Sequence, residues 1–233
     1  MTSQRFADRR EAGAALATLL AKYRNDPNVV VLALPRGGVP VAFEIADALD
    51  APLDVFVVRK LGMPGHAEYA IGALASGGVQ VLSDDVVSLY GVSAAAIDAV
   101  VRRERTELER REREYRRGRP MIELRNKAVI LVDDGLATGA SMRAAVQAVR
   151  AHQPARVVVA VPVGAPQTCE ELTDIADEVV CARMPQPFSA VGLWYRDFSQ
   201  TTDDEVRWLL AEREHERHEA HSEARPKTYP SAR

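Results

Sequence analysis

The sequence predicts an α/β fold, a mostly parallel twisted sheet flanked by helices, on three observations. Short apolar runs lack polar alternation, helical patterns separate them, and one run ends in an acidic pair followed by a turn of small residues. Strands buried on both faces read as continuous Val, Ile and Leu, whereas half-exposed strands alternate. Strands and helices in alternation favour parallel pairing through right-handed crossovers.

The elements follow in order. After Arg9, Arg10 and Glu11 comes an amphipathic stretch whose charges set it apart from the unbroken apolar run of a signal peptide. Strands are expected over Val29 to Leu34, Leu53 to Val58, Val129 to Val132, Val157 to Val163 and Glu178 to Cys181. Helices are expected over Val41 to Leu49, Ala94 to Arg117, Ser141 to His152 and Gln167 to Ile175. One domain is expected over 1–212. The polar stretch 213–233, which carries two prolines, is expected to be a frayed or disordered tail.

Composition sets bounds on function. A hydrophobic share of 47% supports a real core, and 30 Lys and Arg against 33 Asp and Glu leave no global attraction for nucleic acid. Any basic surface must therefore be local. Cys169 and Cys181 are the only cysteines, too few for a disulfide framework or a four-cysteine zinc site. No run reaches the roughly 18 apolar residues of a membrane span, so the expected compartment is the cytoplasm. The Arg-rich helix 94–119 pairs acid and base at i,i+4, as in Glu107 with Arg111 and Glu109 with Arg113. It reads as a solvated face or a subunit contact, for example in a homodimer; nearly devoid of stacking aromatics, it is a poor nucleic-acid track. His215, His218 and His221 recur every third residue, a spacing open to metal ligation but more simply that of a solvated tail.

In an open parallel sheet, ligands bind beyond the carboxyl ends of the strands, and the chemistry-bearing residues fall there. AVILVDDGLATGAS, Ala128 to Ser141, runs from strand through two acids and a glycine turn into a helix. Gly135 and Gly139 let backbone approach a ligand closely. The helix start offers unpaired N–H groups and a positive dipole end to a phosphate, and Thr138 and Ser141 add hydroxyls. Two carboxylates beside an anion site need hydroxyls or a cation as their partners, which suits a sugar phosphate with its diol on the acids. The stretch has neither the GKS or GKT of a Walker A loop nor the GxGxxG of a dinucleotide site.

VILVDDGLATGAS resembles the signature of type I phosphoribosyltransferases that binds 5-phosphoribosyl pyrophosphate (PRPP). The resemblance implies that Asp133 and Asp134 hold the ribose hydroxyls. It further implies that Gly135, Ser141 and the backbone of Leu136, Ala137, Thr138 and Gly139 hold the 5′-phosphate. PRGG within Leu32 to Leu49 resembles the family's pyrophosphate loop, with Arg36, Gly37 and Gly38 on the diphosphate; some relatives hold a non-proline cis peptide there. VVRKLGMPGHAEYAIGALASGG resembles the mobile loop and its approach: Arg59 and Lys60 would meet phosphate oxygens, and His66 and Glu68 are loop groups, solvent-facing in the simpler reading. Val191-Gly192, an aromatic and an acid loosely resemble the acceptor hood, a small subdomain that the resemblance implies is contributed by about 185–206, so that Trp194 or Tyr195 would stack an acceptor and Asp197 would touch it or metal-bound water; core packing of these rings is the competing reading.

The resemblance covers most of residues 1–205 and is nearest to bacterial proteins described as predicted phosphoribosyltransferases. It implies transfer of phosphoribose from Mg²⁺-bound PRPP to a small nitrogenous acceptor, a purine or pyrimidine base, with Mg²⁺ held mainly through PRPP and Asp133 and Asp134 nearby. No segment matches the acceptor-binding parts of the purine or orotate enzymes. A second class stays open, a PRPP-sensing regulator without turnover that uses helix 94–119 on nucleic acid.

Overall fold

The apolar runs assemble side by side in a computed structural model, which describes residues 5–64, 66–83, 90 and 92–223. In chain order the elements are α1 (Arg9–Leu19), β1 (Val29–Ala33), α2 (Gly38–Leu49), β2 (Leu53–Val55), β3 (Val58–Met63), β4 (His66–Ala75), β5 (Val79–Leu82) and α3 (Ala94–Arg116). They continue with β6 (Ala128–Val132), α4 (Ala140–Ala151), β7 (Arg156–Val163), α5 (Pro166–Leu172), β8 (Glu178–Arg183) and α6 (Asp203–Glu223).

Five strands form one sheet in the order β2-β1-β6-β7-β8, every pair parallel. β1 and β6 lie in register from Val29 against Ala128 to Ala33 against Val132. Successive side chains point to opposite faces, and both faces are covered. Val29, Val31, Ala33, Ile130, Val132 and Val158 pack with α1, α2, α3 and α6, while Val30, Leu32, Val129, Leu131, Val157 and Val159 pack with α4 and α5. This two-sided burial is why the runs carry no polar alternation. Burying one such Val or Leu contributes about 1.5–3 kcal/mol.

Three expectations are corrected. The run Leu53 to Val58 is not one strand: β2 stops at Val55, Phe56 N–H donates to Ala33 O at 2.8 Å, and the chain leaves the main sheet. The glycine-containing stretch after it, expected as a loop, forms a second, antiparallel sheet in the order β3-β4-β5. Its strands bury Leu61, Ile71 and Leu74 against the main core. The tail expected from 213 begins as helix, because α6 runs on to Glu223. Val206, Leu209, Leu210 and Arg213 fall at i, i+3, i+4 and i+7, and all are buried. The buried Arg213 guanidinium is matched by Asp50 at 3.0 Å and Asp47 at 3.4 Å.

The long helix α3 is not solvated all round. Ile97, Val100, Val101, Glu104 and Leu108 make a buried stripe, and Arg116 reaches Asp54 at 2.9 Å and Val55 O at 2.7 Å under β2. Its outer arginines are met by its own acids: Arg110 and Arg111 bind Glu107, each at 2.8 Å. No helix among the described residues is long and apolar enough to cross a membrane.

Candidate active site

Beyond the carboxyl end of β6 the chain turns through residues 133–139 into α4. Gly139 sits in the left-handed region at φ 69° and gives α4 no side-chain cap, a conformation that glycine adopts without a Cβ penalty. The first amides of a helix have no intrahelical acceptor, and the N–H groups of residues 137–142 donate to no acceptor among the described residues. Thr138 and Ser141 are exposed beside them. Arg143 crosses the turn, Nη2 donating to Thr138 O at 2.5 Å. Below, Thr168 Oγ1 donates to Ala137 O at 2.7 Å. Leu136 stands apart from this donor set. Its side chain is in the core and its N–H is committed to Val163 O at 2.9 Å, so the expected contribution of its backbone is corrected.

The two acids occupy the inner edge of the turn. Asp133 is half-buried, and its Oδ1 accepts from Asp134 N at 2.9 Å. Asp134 Oδ2 accepts from Arg9 Nε at 2.9 Å across 125 positions of sequence. Arg9 thus supplies a cation to the carboxylates from within the chain, held in turn by Ser199 O at 2.7 Å and by the Phe198 ring at 4.0 Å. Burial raises the Asp133 carboxyl well above its ordinary value, and the neighbouring Asp134 charge adds to it. Burial also raises Asp134, with Arg9 opposing.

The Arg36 loop packs directly on these acids. A Cβ on Gly37 would lie 2.0 Å from Asp134 Oδ2, and one on Gly38 would lie 2.6 Å from Val132 O. Only glycine lets the two turns meet at that spacing. The Pro35–Arg36 peptide is cis. The amides of Arg36 and Gly37 donate to no acceptor among the described residues, whereas Gly38 N–H is committed to Leu34 O at 3.1 Å. Gly38 therefore packs the loop instead of offering a donor. The Arg36 guanidinium lies 3.9 Å from Asp203 Oδ1, which also accepts from Tyr115 Oη at 2.6 Å.

The cations of the small sheet divide. Arg59 is held by Glu104 of α3 through Nη2 at 2.7 Å and Nε at 3.0 Å. That commitment corrects the expectation that it meets phosphate. Lys60 is exposed and has no charged partner among the described residues. His66 is exposed at the start of β4, and the side chain of Glu68 lies outside the described residues.

The hood residues are also redistributed. Tyr195 is 2% exposed, its ring stacked on Phe198 with centroids 5.0 Å apart. Its hydroxyl donates to Asp134 O at 2.6 Å, which fastens the acid turn. It is a packing residue, not an open stacking face, and this corrects the acceptor reading for that ring. Trp194 is half-buried, and its carbonyl accepts from Phe6 N at 2.9 Å. Asp197 is exposed and accepts from Ser199 N at 2.8 Å within its own turn, which lowers its carboxyl from the ordinary value.

A phosphoribosyl transferase domain model matches residues 3–193. The chain belongs to this family. Two Mycobacterium tuberculosis proteins, each named "Putative phosphoribosyl transferase", are 53% identical over 201 residues covering 86% of this chain. The chain spans only 45% of the length of those relatives. The crystal structure of TT1426 from Thermus thermophilus shares 46% identity with a TM-score of 0.79, covering 89% of this chain and 98% of that one.

Within this phosphoribosyl transferase domain, sequence reasoning missed Arg9, Arg143 and Thr168. Arg9 left no local signal, since its partner lies 125 positions away. Arg143 follows the turn at helical spacing and was legible as a cation near it. A cavity of about 500 Å³ lies elsewhere, at the start of β2, lined by Asp54, Arg116, Arg119, Arg213, Arg217 and His218 among others. Ion pairs from Arg116 to Asp54, Arg119 to Glu214 and Arg213 to Asp50 make it a structural seam, remote from the turn. His215 pairs with Glu219 at 3.2 Å, and the side chain of His221 lies outside the described residues.

Proposed function

We propose that the chain transfers the 5-phosphoribosyl group from Mg-PRPP to a nitrogenous acceptor, a purine or pyrimidine base, with release of pyrophosphate. One observation carries the reading: the amides of residues 137–142 form an open donor set directly beside the Asp133–Asp134 pair, and the Arg36 loop closes against those acids. In this reading the turn binds the 5′-phosphate, with the α4 dipole and Arg143 adding positive potential. Asp133 and Asp134 accept hydrogen bonds from the ribose diol. Arg36, its own amide, that of Gly37 and the exposed Lys60 lie on the diphosphate side.

Transfer of this kind breaks the bond at C1′ ahead of forming the new one, so charge grows on the leaving diphosphate and positive character on the sugar. No covalent nucleophile is needed. Orientation of the sugar and preorganised donors on the leaving group supply the rate enhancement. Asp133 and Asp134 face the developing positive charge, and Arg9 keeps the Asp134 carboxylate aimed while lying outside the diol. Among the described residues no group of acids, histidines or cysteines forms a ready metal cage, and Asp134 is already paired with Arg9. A Mg²⁺ would be held mainly through the diphosphate and water, with Asp133 and Asp134 nearby. When bound it would neutralise charge on the leaving group.

The test is calorimetry with Mg-PRPP on the wild type and on Asp133→Asn with Asp134→Asn. The wild type is expected to bind and the double variant to lose binding at least a hundredfold while remaining folded. Equal affinities would refute the site. A screen of free bases with PRPP, read by pyrophosphate release, then names the acceptor; no release with any base would leave binding without transfer and defeat the transferase reading.

A further inference from the structure

The chain's only two cysteines lie one layer beneath the phosphate turn. Cys169 of α5 is 4% exposed and Cys181 of β8 is half-buried, and both are free thiols. They converge on Gly164, where a Cβ would lie 2.5 Å from Cys169 Sγ and 3.3 Å from Cys181 Sγ. The missing side chain is what lets the two sulfurs approach each other. Cys181 Sγ also lies 3.1 Å from Arg183 O, the same carbonyl that accepts from Gly164 N at 3.1 Å.

Gly164 is tied to the turn above it. It bridges Leu136, with Leu136 N–H donating to Val163 O and Ala165 N–H to Leu136 O, both at 2.9 Å. Thr168, the residue before Cys169, carries the hydrogen bond to Ala137 O. A shift of either sulfur thus reaches the backbone of the turn through one residue.

We propose that Cys169 and Cys181 are an oxidation site that forms a reversible disulfide with a hydroperoxide and thereby loosens the turn at Leu136–Ala137. The sulfur of one cysteine, as its thiolate, attacks the terminal peroxide oxygen and the O–O bond breaks. The departing oxygen leaves as alcohol, or as water from hydrogen peroxide, and a sulfenic acid remains. The sulfur of the other cysteine then attacks the sulfenic sulfur, its S–O bond breaks, and the hydroxyl departs as water with that thiol's proton. Two thiols are oxidised and one peroxide is reduced. Disulfide bonding draws the sulfurs to about 2.04 Å, a movement that shifts α5 with Thr168.

The experiment treats the full chain with hydrogen peroxide, blocks remaining thiols and maps peptides. Both thiols are expected to disappear together into a cross-link between the Cys169 and Cys181 peptides of one chain, reversed by dithiothreitol. Hydrogen exchange of the oxidised protein is expected to be about tenfold faster at the amides of Leu136 and Ala165. Cys169→Ala and Cys181→Ser should each abolish the cross-link and retain the slow exchange. A sulfinic acid on one cysteine, cross-links only between chains, or unchanged exchange in the cross-linked protein would each overturn the proposal. Neither readout uses PRPP, so the result stands apart from the proposed transfer activity.

Discussion

Replacing Gly37 with alanine tests the contact on which the two turns depend. Gly37 has φ −61° and ψ −30°, ordinary for any residue, so alanine adds no backbone strain there and only the space is at issue. Its Cβ would fall 2.0 Å from Asp134 Oδ2, 2.7 Å from Asp134 Cγ and 3.3 Å from Arg9 Nε. Ordinary contact begins near 3.4 Å, so the carboxylate must retreat by 3.4 − 2.0 = 1.4 Å, at the expense of its 2.9 Å bond to Arg9. Overpacking of this size costs about 2 kcal/mol, or about 4–8 °C in Tm for a domain of this length. The larger effect falls on ligand binding, because the displaced group is one of the two acids assigned to the diol. Thermal unfolding and calorimetry with Mg-PRPP are the assays, and binding should weaken by about tenfold or more. A Gly37→Ala protein with wild-type Tm and wild-type affinity would show that the loop and the acids are not in the contact described.

Two further perturbations address the frame. Arg116→Ala removes a guanidinium whose side chain is 7% exposed and strands Asp54 at 8%; breaking one side of such a buried pair costs about 3–5 kcal/mol, and equal destabilisation by Asp54→Ala in a double-mutant cycle is expected, additive losses being the contrary result. Arg213→Ala should cost about 1.5 kcal/mol, since the partners Asp47 and Asp50 are half-exposed and rehydrate. Chemical denaturation that finds no change would mean that the start of the polar tail is not docked.

The sequence conveyed the parallel sheet because its signal is local: Val129–Val132 and Val157–Val163 are buried on both faces and carry no polar residue to break the run. It conveyed the 133–141 turn because acids, glycines and hydroxyls sit next to one another in the chain. It did not convey α6, whose stripe of Val206, Leu209 and Leu210 ends on Arg213. A buried arginine reads as surface until its partners, Asp47 and Asp50, are seen to come from the end of α2. The small sheet was hidden by glycines at 62 and 72, which resemble loop residues but lie inside paired strands. Arg59 was misassigned for a related reason. Its partner Glu104 lies on a helix 45 positions away, and no spacing rule announces such a pair. The ring of Tyr195 looked like an acceptor platform from its neighbours in sequence, whereas its hydroxyl is needed by Asp134 O.

The burial of Asp133 gives the site a pH signature with a definite sign. Desolvation and the Asp134 charge raise its carboxyl above the ordinary 3.8, so the folded state binds this proton more tightly than the unfolded state. With more protons bound in the native state, stability falls as pH rises through the raised value and is recovered as pH drops towards 3.8. Above the ordinary value the free protein therefore bears the cost of burying this carboxyl, a strain that a hydroxyl donor in the site would relieve. Asp133→Asn keeps an oxygen to accept from Asp134 N and removes the charge. It should be more stable than the wild type at neutral pH, with the difference shrinking in acid. Binding of a diol to the wild type should release protons near the raised value, measurable by calorimetry in buffers of different ionisation enthalpy. An Asn variant less stable than the wild type across the whole range, or binding without proton release, would mean that Asp133 is stabilised in the free protein and has nothing to gain from a sugar.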